Sequence, residues 1–563
     1  MSRLDVESIL KEVEQLLAKA GTLPEEAERA VEKLLNAVEA LAADKQELAK
    51  EVERLRKQLE QKKKAKTTQE TQHSDPPAND RSDHSSEKRR RNLQRKKRRA
   101  RDRRSFKELT IHETIDCPVD PATLPPDAVR VDDEIVIVQD IEIKPRNLRF
   151  QRNVYFSASA GKFFRGRLPA GYDAGDFGPD LRALILSLKY CGNMSEPKIG
   201  EFLENFDVQV SAGSLSNILT GSAAWFESEY HGVLVAGLSS TPYQQTDDTS
   251  ARVAGGAWHT HILCNPFYTF YSTRPGKDRL NVLAVFQNTD AVRFRFNGQT
   301  RALLADAFTI PDKWQRWLAH FIDGCGGDVE LDAALTKGLL DRVFGGRCAQ
   351  TRTAIEQAAA IVSYRQQTVV PVIETLICDD AGQFKLLTDH LALCWIHDGR
   401  HYERLSPVVP RHRVALDQFL DRYWAYYGRL QDYRGSPDEA AADKLRAEFL
   451  ELFATRTGYE ALDDRIAKTS AKQAELLMVL SQPWVPLHNN ASELGARVSA
   501  RRRDVSLHSR SVRGARSMDI LTTLVQTCRK LGTSAYEYFR LHLRRAPAAP
   551  SLARCIQTAA ASV

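Results

Sequence analysis

The chain has 563 residues, 42% of them hydrophobic and 27% charged, so it can bury a large core and divide into several domains. It has no apolar run of about 18 residues, the length that a membrane span requires. Its acidic start, MSRLDVESILKEVEQ, is unlike a signal peptide. We therefore expect a soluble, cytoplasmic protein without membrane partners. The nine cysteines form no C-x-x-C pair and no regular framework, which predicts neither disulfides nor zinc.

Apolar residues recur every seven positions near the N-terminus, in two companion rows. The rows are Leu34, Leu41, Leu48, Leu55 and Val31, Val38, Val52, Leu59. This pattern predicts a coiled coil over 1–62, divided from an earlier short helix at Gly21 to Pro24. We expect the coiled coil to join copies of the chain into a homo-oligomer. The alternative is an antiparallel hairpin of the two helices within one chain.

A polar segment follows over 63–106, and little in it can pack, so we expect a disordered linker. Within it, Lys88 to Arg104 carries twelve basic residues against the single acid Asp102. Such a block is suited to contacts with a phosphate backbone, although a solvated linker or a targeting signal is the alternative. The residues at its centre are Arg95, Lys96, Lys97, Arg98 and Arg99.

Short β-type runs, EIVIV, LRFQ and NVYFS, predict a small β-rich module over 107–178. Three short helical patterns follow over 179–225, the last two beginning at Ser195 and Ser211. Their arrangement is typical of a helix-turn-helix, and an ordinary three-helix packing unit is the alternative.

The third of these helices would enter the major groove of DNA if the segment is a helix-turn-helix. It would then present Ser214, Ser216 and Asn217 to the bases, while the apolar residues of the same helix pack inward. Those apolar residues are Leu215, Ile218 and Leu219.

The rest of the chain alternates between strand and helix patterns, which predicts an α/β fold with helical insertions. The runs YQQTDDTSARV, AWHTHILC and FYTFYST indicate three antiparallel strands, and VVPVIETLICDD a central one. We expect a mixed-sheet core at 240–290, 371–412 and 485–540, helical insertions at 291–370 and 413–484, and a flexible tail at 541–563.

Acidic residues accompany the predicted strands. Asp247 and Asp248 lie on the first, Asp379 and Asp380 end a later one, and Glu493 follows in PLHNNASELGARV. Enzymes that move phosphodiester bonds hold two hard cations about 4 Å apart with carboxylates. Each acid alone also fits a turn or a cap, since Asn490 and Glu493 have the spacing of a capping box.

Three segments together resemble the insertion-sequence-66 (TnpC-type) transposase family, over about 180–540. TDDTSARVAGGAWHTHILC is similar to the family's first-aspartate strand, and LICDDAGQF with LCWIH to its second-aspartate segment. HNNASELGARVSARRRDVS is similar to the run that carries the glutamate. The resemblance implies a ribonuclease H-like catalytic domain. It also implies that Asp247, Asp379 and Glu493 are the catalytic residues and the metal ligands.

The same resemblance implies several neighbours of the site. These are Asp248, Asp380, His397 with Cys394 as a C-x-x-H pair, Asn489 and Asn490. Two features depart from the family's pattern. His488 stands where the family has an aspartate, and residues 107–180 contain only Cys117, so a cysteine-ligated zinc module is not expected.

Arginines are concentrated after Glu493, with Asp504 as the only acid between Arg497 and Arg516. A solvated helix face usually alternates in charge, so this concentration favours contact with phosphates. The predicted DNA-binding residues here are Arg497, Arg501, Arg502 and Arg503.

We therefore expect a DDE transposase that uses Mg²⁺, with Mn²⁺ as a substitute, to cleave element ends. The freed 3′-hydroxyl would then attack target DNA. The implied partners are the terminal inverted repeats, target DNA, further copies of the chain and accessory transposition proteins, so we expect association with the nucleoid. A catalytically inactive, DNA-binding regulator is the alternative, and a coiled-coil scaffold that binds RNA is a more distant one.

Overall fold

The computed structural model describes residues 6–20, 23–67, 110–120, 123–125, 128–129, 132, 134–173 and 175–562. The basic residues Arg95, Lys96, Lys97, Arg98 and Arg99 lie outside the described residues, as does most of the predicted linker. The chain divides into two units, one of residues 1–67 with 149–563 and the other of residues 68–148. No helix in the described part of the chain is long and apolar enough to cross a membrane.

The described helices and strands are as follows. The helices are α1 (Val6–Ala20), α2 (Glu25–Thr67), α3 (Pro179–Tyr190), α4 (Glu196–Glu204), α5 (Ala212–Gly221), α6 (Glu227–Leu238), α7 (Arg279–Gln287), α8 (Gly298–Ala307), α9 (Asp312–Gly324), α10 (Ala333–Phe344), α11 (Ala349–Gln366), α12 (Trp395–Glu403), α13 (Pro410–Gly435), α14 (Glu439–Phe453), α15 (Glu460–Ser470), α16 (Gln473–Leu476), α17 (Asn490–Ser506), α18 (Val512–Lys530), α19 (Ala535–Leu543) and α20 (Leu552–Ala561). The strands are β1 (Val154–Ser157), β2 (Lys162–Arg165), β3 (Tyr243–Val253), β4 (Gly256–Cys264), β5 (Thr269–Arg274), β6 (Phe294–Asn297), β7 (Asp328–Leu331), β8 (Thr375–Cys378) and β9 (His390–Leu393).

The predicted β-rich module is largely absent from the described residues. The described part of 110–153 contains no strand, and the apolar side chains of EIVIV are exposed. Only NVYFS contributes a strand, β1, which pairs with β2 in an antiparallel hairpin. The prediction of strands at EIVIV and LRFQ is therefore wrong. A β-type composition forms a strand only where a second strand satisfies its backbone hydrogen bonds.

The N-terminal helices pack on the body of their unit through one side of α2. Leu10, Leu35 and Val409 share a buried cluster, and the Glu39 carboxylate accepts the backbone N–H groups of Val408 (3.0 Å) and Val409 (2.8 Å). The leucine row stays outside this contact. Its exposed fractions are 65% for Leu34, 69% for Leu41, 65% for Leu48 and 46% for Leu55. Self-association through this row stays a prediction, and Leu10 also packs α1 against α2 as the hairpin alternative requires.

Helices α3, α4 and α5 lie close to their expected bounds. Ser195 and Ser211 are the N-caps of α4 and α5, and their hydroxyls accept the N–H groups of Lys198 and Ser214. The inward packing of α5 is also as expected, because Leu215 and Leu219 are buried and Ile218 packs against the core. On the other side of α5, Asn217 is exposed while Ser214 and Ser216 are partly exposed.

A five-stranded sheet forms the centre, in the order β5-β4-β3-β8-β9. The strands β3, β4 and β5 are antiparallel neighbours, whereas β8 and β9 run parallel to β3. A tight turn at Ala254 (φ 48°) and Gly255 (φ 82°) joins β3 to β4, because two successive residues with positive φ match the twist of a hairpin. This mixed α/β sheet is compatible with the ribonuclease H-like fold.

Helix α18 covers the β5 edge of this sheet. Three of its side chains, spaced four residues apart, accept N–H groups from alternate residues of β5. The pairs are Asp519 with Thr273, Thr523 with Tyr271, and Thr527 with Thr269. The outer edge of β5 is therefore bonded to a helix instead of being open to another strand.

The predicted insertions and the tail need two corrections. Residues 291–370 hold α8 to α11 but also the antiparallel strand pair of β6 and β7. The expected flexible tail, 541–563, is wrong in its described part. It contains α20, whose Leu552 and Ile556 are fully buried in the main core and pack it against α6.

Candidate active site

Asp247 and Asp379 belong to neighbouring parallel strands. The pairing of β3 with β8 sets Gln245 opposite Ile377, and the same register two residues further sets Asp247 opposite Asp379. Asp379 directly follows the last residue of β8. Neighbouring strands lie about 4.8 Å apart, so the two aspartates stand side by side at one end of the sheet.

Helix α17 carries Glu493 across the face of β3 that bears Asp247. Gln245, Asp247 and Thr249 share that face, because alternate strand residues point the same way. At one end of the crossing, Ala491 N donates to Gln245 Oε1 (3.2 Å). Further along, Arg503 Nη1 donates to Thr249 Oγ1 (3.0 Å). The first turn of α17, with Glu493, is thereby fixed beside Asp247.

Two further residues bring α17 close to the sheet. Asn489 Nδ2 donates to Thr246 O (2.6 Å), directly before Asp247. At Gly495 a Cβ would lie 2.8 Å from Ile262 Cγ2, and Tyr271 donates its hydroxyl to the Gly495 carbonyl (3.1 Å). Any larger residue at 495 would push the first turn, and Glu493 with it, away from the strands.

The carboxylate of Glu493 contacts two residues of α12. Arg400 Nη2 donates to its Oε2 (3.0 Å), and His397 Nε2 lies 3.5 Å from its Oε1. Oε1 is buried and has no hydrogen-bond partner among the described residues. The capping-box alternative is not observed, because the N-cap of α17 is Asn489 and no side chain caps this end. Glu493 therefore faces the site instead of its own backbone.

The acids influence each other's protonation. Burial raises the pKa of Asp247 to about 7, and the nearby carboxylates of Asp379, Asp248 and Glu493 contribute to the rise. The Asp248 N–H, 2.8 Å from Asp247 Oδ1, opposes it. Burial also raises the pKa of Asp379, against the effect of the Ala381 N–H and of His397. Carboxylates are thus concentrated here with too few basic side chains to balance their charge, as in sites that bind metal ions.

The other expected neighbours differ in their surroundings. Asp248 lies on the opposite face of β3, where Gln383 Nε2 donates to it (3.1 Å) and His259 Nδ1 is 4.0 Å away. Asp380 pairs with Lys472 and with Lys385 (3.3 Å), and these lysines lower its pKa against the effect of burial. Asn490 is the first residue of α17. Asp380 is thus neutralised within the chain, unlike Asp247 and Asp379.

The predicted DNA-binding arginines of α17 are divided between its faces. Arg497 and Arg501 are exposed, and Arg503 is partly buried against Thr249. Arg502 is only 9% exposed, donates to the Tyr190 carbonyl (3.0 Å) and contacts Thr522. The prediction that Arg502 contacts DNA is therefore wrong, because its guanidinium is used to pack α17 against α3 and α18.

Two residues of the site were missed. Arg400 lies three residues after His397, so both occupy one face of α12. This spacing was the only indication in the sequence that Arg400 belongs to the site. Gln245 lies two residues before Asp247 on the same strand face. The alternation of β3 could have indicated it.

The five-stranded mixed sheet carries Asp247 on β3 and Asp379 directly after β8. This arrangement is compatible with the class of ribonuclease H-like enzymes. Residues 357–517, which include Asp379 and Glu493 but not Asp247, match the family described as Transposase IS66 family. The chain is also 31% identical over 315 residues to "Uncharacterized protein y4jO" of Sinorhizobium fredii, an alignment that covers 54% of this chain and 93% of that protein. No solved structure matches. The chain belongs to the IS66 family of transposases, as its motifs predict.

Proposed function

We propose that this chain is a metal-dependent DDE transposase that cleaves the ends of its own mobile element and joins them to target DNA. The catalytic acids are Asp247, Asp379 and Glu493. One observation carries the proposal: the register of β3 with β8 and the contacts of α17 with β3 bring Asp247, Asp379 and Glu493 together from distant parts of the chain. A fold has no structural need to collect repelling carboxylates, so their proximity supports a shared cation site.

The donor set fits hard divalent cations. The three acids offer carboxylate oxygens, which Mg²⁺ and Mn²⁺ prefer, and Glu493 Oε1 has no hydrogen-bond partner among the described residues. A pair of such ions supplies an activated oxygen nucleophile and charge neutralisation at the leaving oxygen.

The remaining residues of the site hold these acids and the DNA. Arg400 fixes Glu493 through Oε2 and leaves Oε1 turned to the site. Gln245 and Asn489 tie the first turn of α17 to β3 at the two strand positions directly before Asp247. The exposed Arg497 and Arg501 follow on the same helix, where they can bind the phosphates of the DNA backbone.

Contacts away from the site complete the proposal. Asn217 and its neighbours on α5 bind DNA at the element ends, and the exposed leucine row of α2 joins two copies of the chain. A transposase must hold two DNA ends together, so a dimer suits the reaction.

The test uses the full-length chain with labelled DNA that carries the ends of the element. Strand cleavage and joining are measured with Mg²⁺ and without divalent ions. Asp247→Asn, Asp379→Asn and Glu493→Gln should each reduce the rate by at least about 100-fold, since even outer-shell changes at metal sites cost 10- to 100-fold. Asp389→Asn is the matched control, because Asp389 is exposed and precedes β9 at the opposite end of the sheet.

Accessory proteins are expected in this family, so a second measurement accompanies the rate. Calorimetric titration with Mn²⁺ should show binding to the wild type that is lost in Asp247→Asn and Asp379→Asn. If all three variants bind Mn²⁺ like the wild type, the proposal is refuted and the inactive DNA-binding regulator is the better account.

A further inference from the structure

Cys394, His397 and Glu493 form a second cluster of metal-binding side chains. One ligand atom from each lies within 4.8 Å of the other two. Cys394 is the N-cap of α12 and His397 lies in its first turn, so both are presented at the same end of that helix. We propose that this cluster is a site for Zn²⁺, which shares Glu493 with the oxygen-only site of the three acids.

The spacing suits a tetrahedral ion. Zn²⁺ with bonds of about 2.0–2.3 Å holds its ligand atoms about 3.3–3.7 Å apart. His397 Nε2 and Glu493 Oε1 already lie 3.5 Å apart. The two pairs that involve the sulfur would need to shorten by about 1 Å at most, a shift within the reach of side-chain rotation.

Burial raises the pKa of the Cys394 thiol to about 11, so the free thiol keeps its proton until a metal ion displaces it. Cys394 Sγ accepts the backbone N–H of Asn489 (3.2 Å) and those of Ile396 and His397 at the start of α12. Two of these donors belong to the first turn of α12 and the third precedes α17, and all three would stabilise the charge on the sulfur once a bound ion has displaced the proton. Binding of the ion would release the thiol proton to solvent, so that the zinc–sulfur bond replaces the S–H bond.

The ligand types also select the ion. A thiolate and an imidazole prefer Zn²⁺ to Mg²⁺, which binds oxygen ligands. The expectation of no zinc rested on the spacing of the cysteines alone. This site needs one cysteine, and the fold adds the third ligand from α17.

Glu493 belongs to both sites, and this gives the zinc site a consequence that rests on the proposed function. Zn²⁺ bound to Glu493 Oε1 would withdraw that oxygen from Asp247 and Asp379. Zn²⁺ therefore inhibits the Mg²⁺-dependent reaction, and Cys394 determines how sensitive the reaction is to Zn²⁺.

The experiment titrates metal-free, full-length protein with Co²⁺, a coloured substitute for Zn²⁺. We expect the intense absorption of a tetrahedral ion and a sulfur-to-cobalt charge-transfer band that saturate at about one equivalent, and Zn²⁺ should displace both. Cys394→Ser should abolish the charge-transfer band. His397→Gln and Glu493→Gln should weaken Co²⁺ binding by at least about 10-fold, which keeps the test open if the cysteine variant does not fold.

Two controls separate this site from others. Cys325→Ser removes an exposed cysteine and should leave the Co²⁺ spectrum unchanged. Asp247→Asn should also leave it unchanged while Mn²⁺ binding is lost, so the two sites succeed or fail separately. A charge-transfer band that survives in Cys394→Ser, or only the weak absorption of octahedral Co²⁺ in the wild type, would overturn the zinc site. If Zn²⁺ binds as expected but does not slow wild-type cleavage more than that of Cys394→Ser, its inhibitory role is rejected.

Discussion

Two carboxylates held against the same sheet have opposite surroundings. Asp519 on α18 is buried, and both its oxygens accept hydrogen bonds from Thr273, one from the backbone N–H and one from the hydroxyl, each at 2.7 Å. Burial raises its pKa to about 6, while Thr273, Arg516 and Arg274 oppose the rise. Asp247 has one backbone donor, and its other electrostatic neighbours are carboxylates.

The difference separates a structural acid from a functional one. Both groups lose hydration in the fold, which costs free energy unless hydrogen bonds or opposite charges replace it. Asp519 receives part of that compensation from the chain itself, and its pKa rises less than that of Asp247. Asp247 has fewer such partners, so we infer that its compensation comes from bound cations, and four experiments test this contrast.

The largest effect should come from removing the charge of Asp247. Its pKa is raised from 3.8 to about 7, so the ionised form is disfavoured in the folded state and stability falls as pH rises from about 4 to about 7. Without divalent ions, Asp247→Asn should therefore be about 4 kcal/mol more stable than the wild type near pH 8 and nearly equal to it near pH 4.

Urea unfolding at several pH values measures this difference. Added Mg²⁺ should stabilise the wild type near pH 8 but not the variant. If the free energy of unfolding of the two proteins depends on pH in the same way, the chain itself compensates the lost hydration of Asp247.

Arg400→Ala should reduce the rate of strand cleavage by about 10- to 100-fold, because the Glu493 carboxylate loses the partner that orients it. The loss should be partly recovered at high Mn²⁺ concentration and in Arg400→Lys. Rates measured across a range of metal concentrations distinguish this positioning role. A variant that lowers the rate equally at every metal concentration would contradict it.

Asp519→Asn should lower stability by about 1–2 kcal/mol near pH 4, where removal of the charge brings little gain and one acceptor for Thr273 is lost. Metal binding and the cleavage rate per folded molecule should not change. Denaturant unfolding and Mn²⁺ titration of the same preparation test both halves. Loss of Mn²⁺ binding would place Asp519 with the functional acids.

The smallest effect concerns the positive charge that follows Glu493. Arg501→Ala should weaken DNA binding by about three- to tenfold and reduce its salt dependence by about one ion, as expected for one phosphate contact. Arg554→Ala, at an exposed position on α20, is the control. Binding titrations at several salt concentrations provide the comparison, and equal salt slopes for the two variants would remove Arg501 from the interface.

Much of the fold follows from local signals. The serine caps of α4 and α5 are properties of a few neighbouring residues, and the structure confirms them. The sequence also indicated both aspartates on strand segments, but their proximity depends on the parallel register of β3 with β8, which joins residues far apart in the chain. Their cations, and the roles of the acids, stay predictions.

The faces of α17 could not be predicted from its pattern. Its buried face contains Ser492, Gly495 and Arg502, whereas Leu494 and Val505 are exposed. Hydrophobic periodicity therefore gives the wrong side. The close approach of α17 to the sheet requires small residues on this face. The long Arg502 can be buried because the Tyr190 carbonyl and the Thr522 hydroxyl accept hydrogen bonds from its guanidinium. Such compensation depends on partners far away in the chain.

The contacts between α18 and β5 join two elements with different axial spacings. Four residues of helix rise about 6.0 Å, whereas two residues of antiparallel strand span about 6.8 Å. The mismatch accumulates along the edge, and the N···O distances lengthen in step, from 2.7 Å at Asp519 to 3.0 Å at Thr523 and 3.4 Å at Thr527. The three contacts nevertheless span β5 from Thr273 to Thr269, so α18 closes almost the whole of this sheet edge to a further strand.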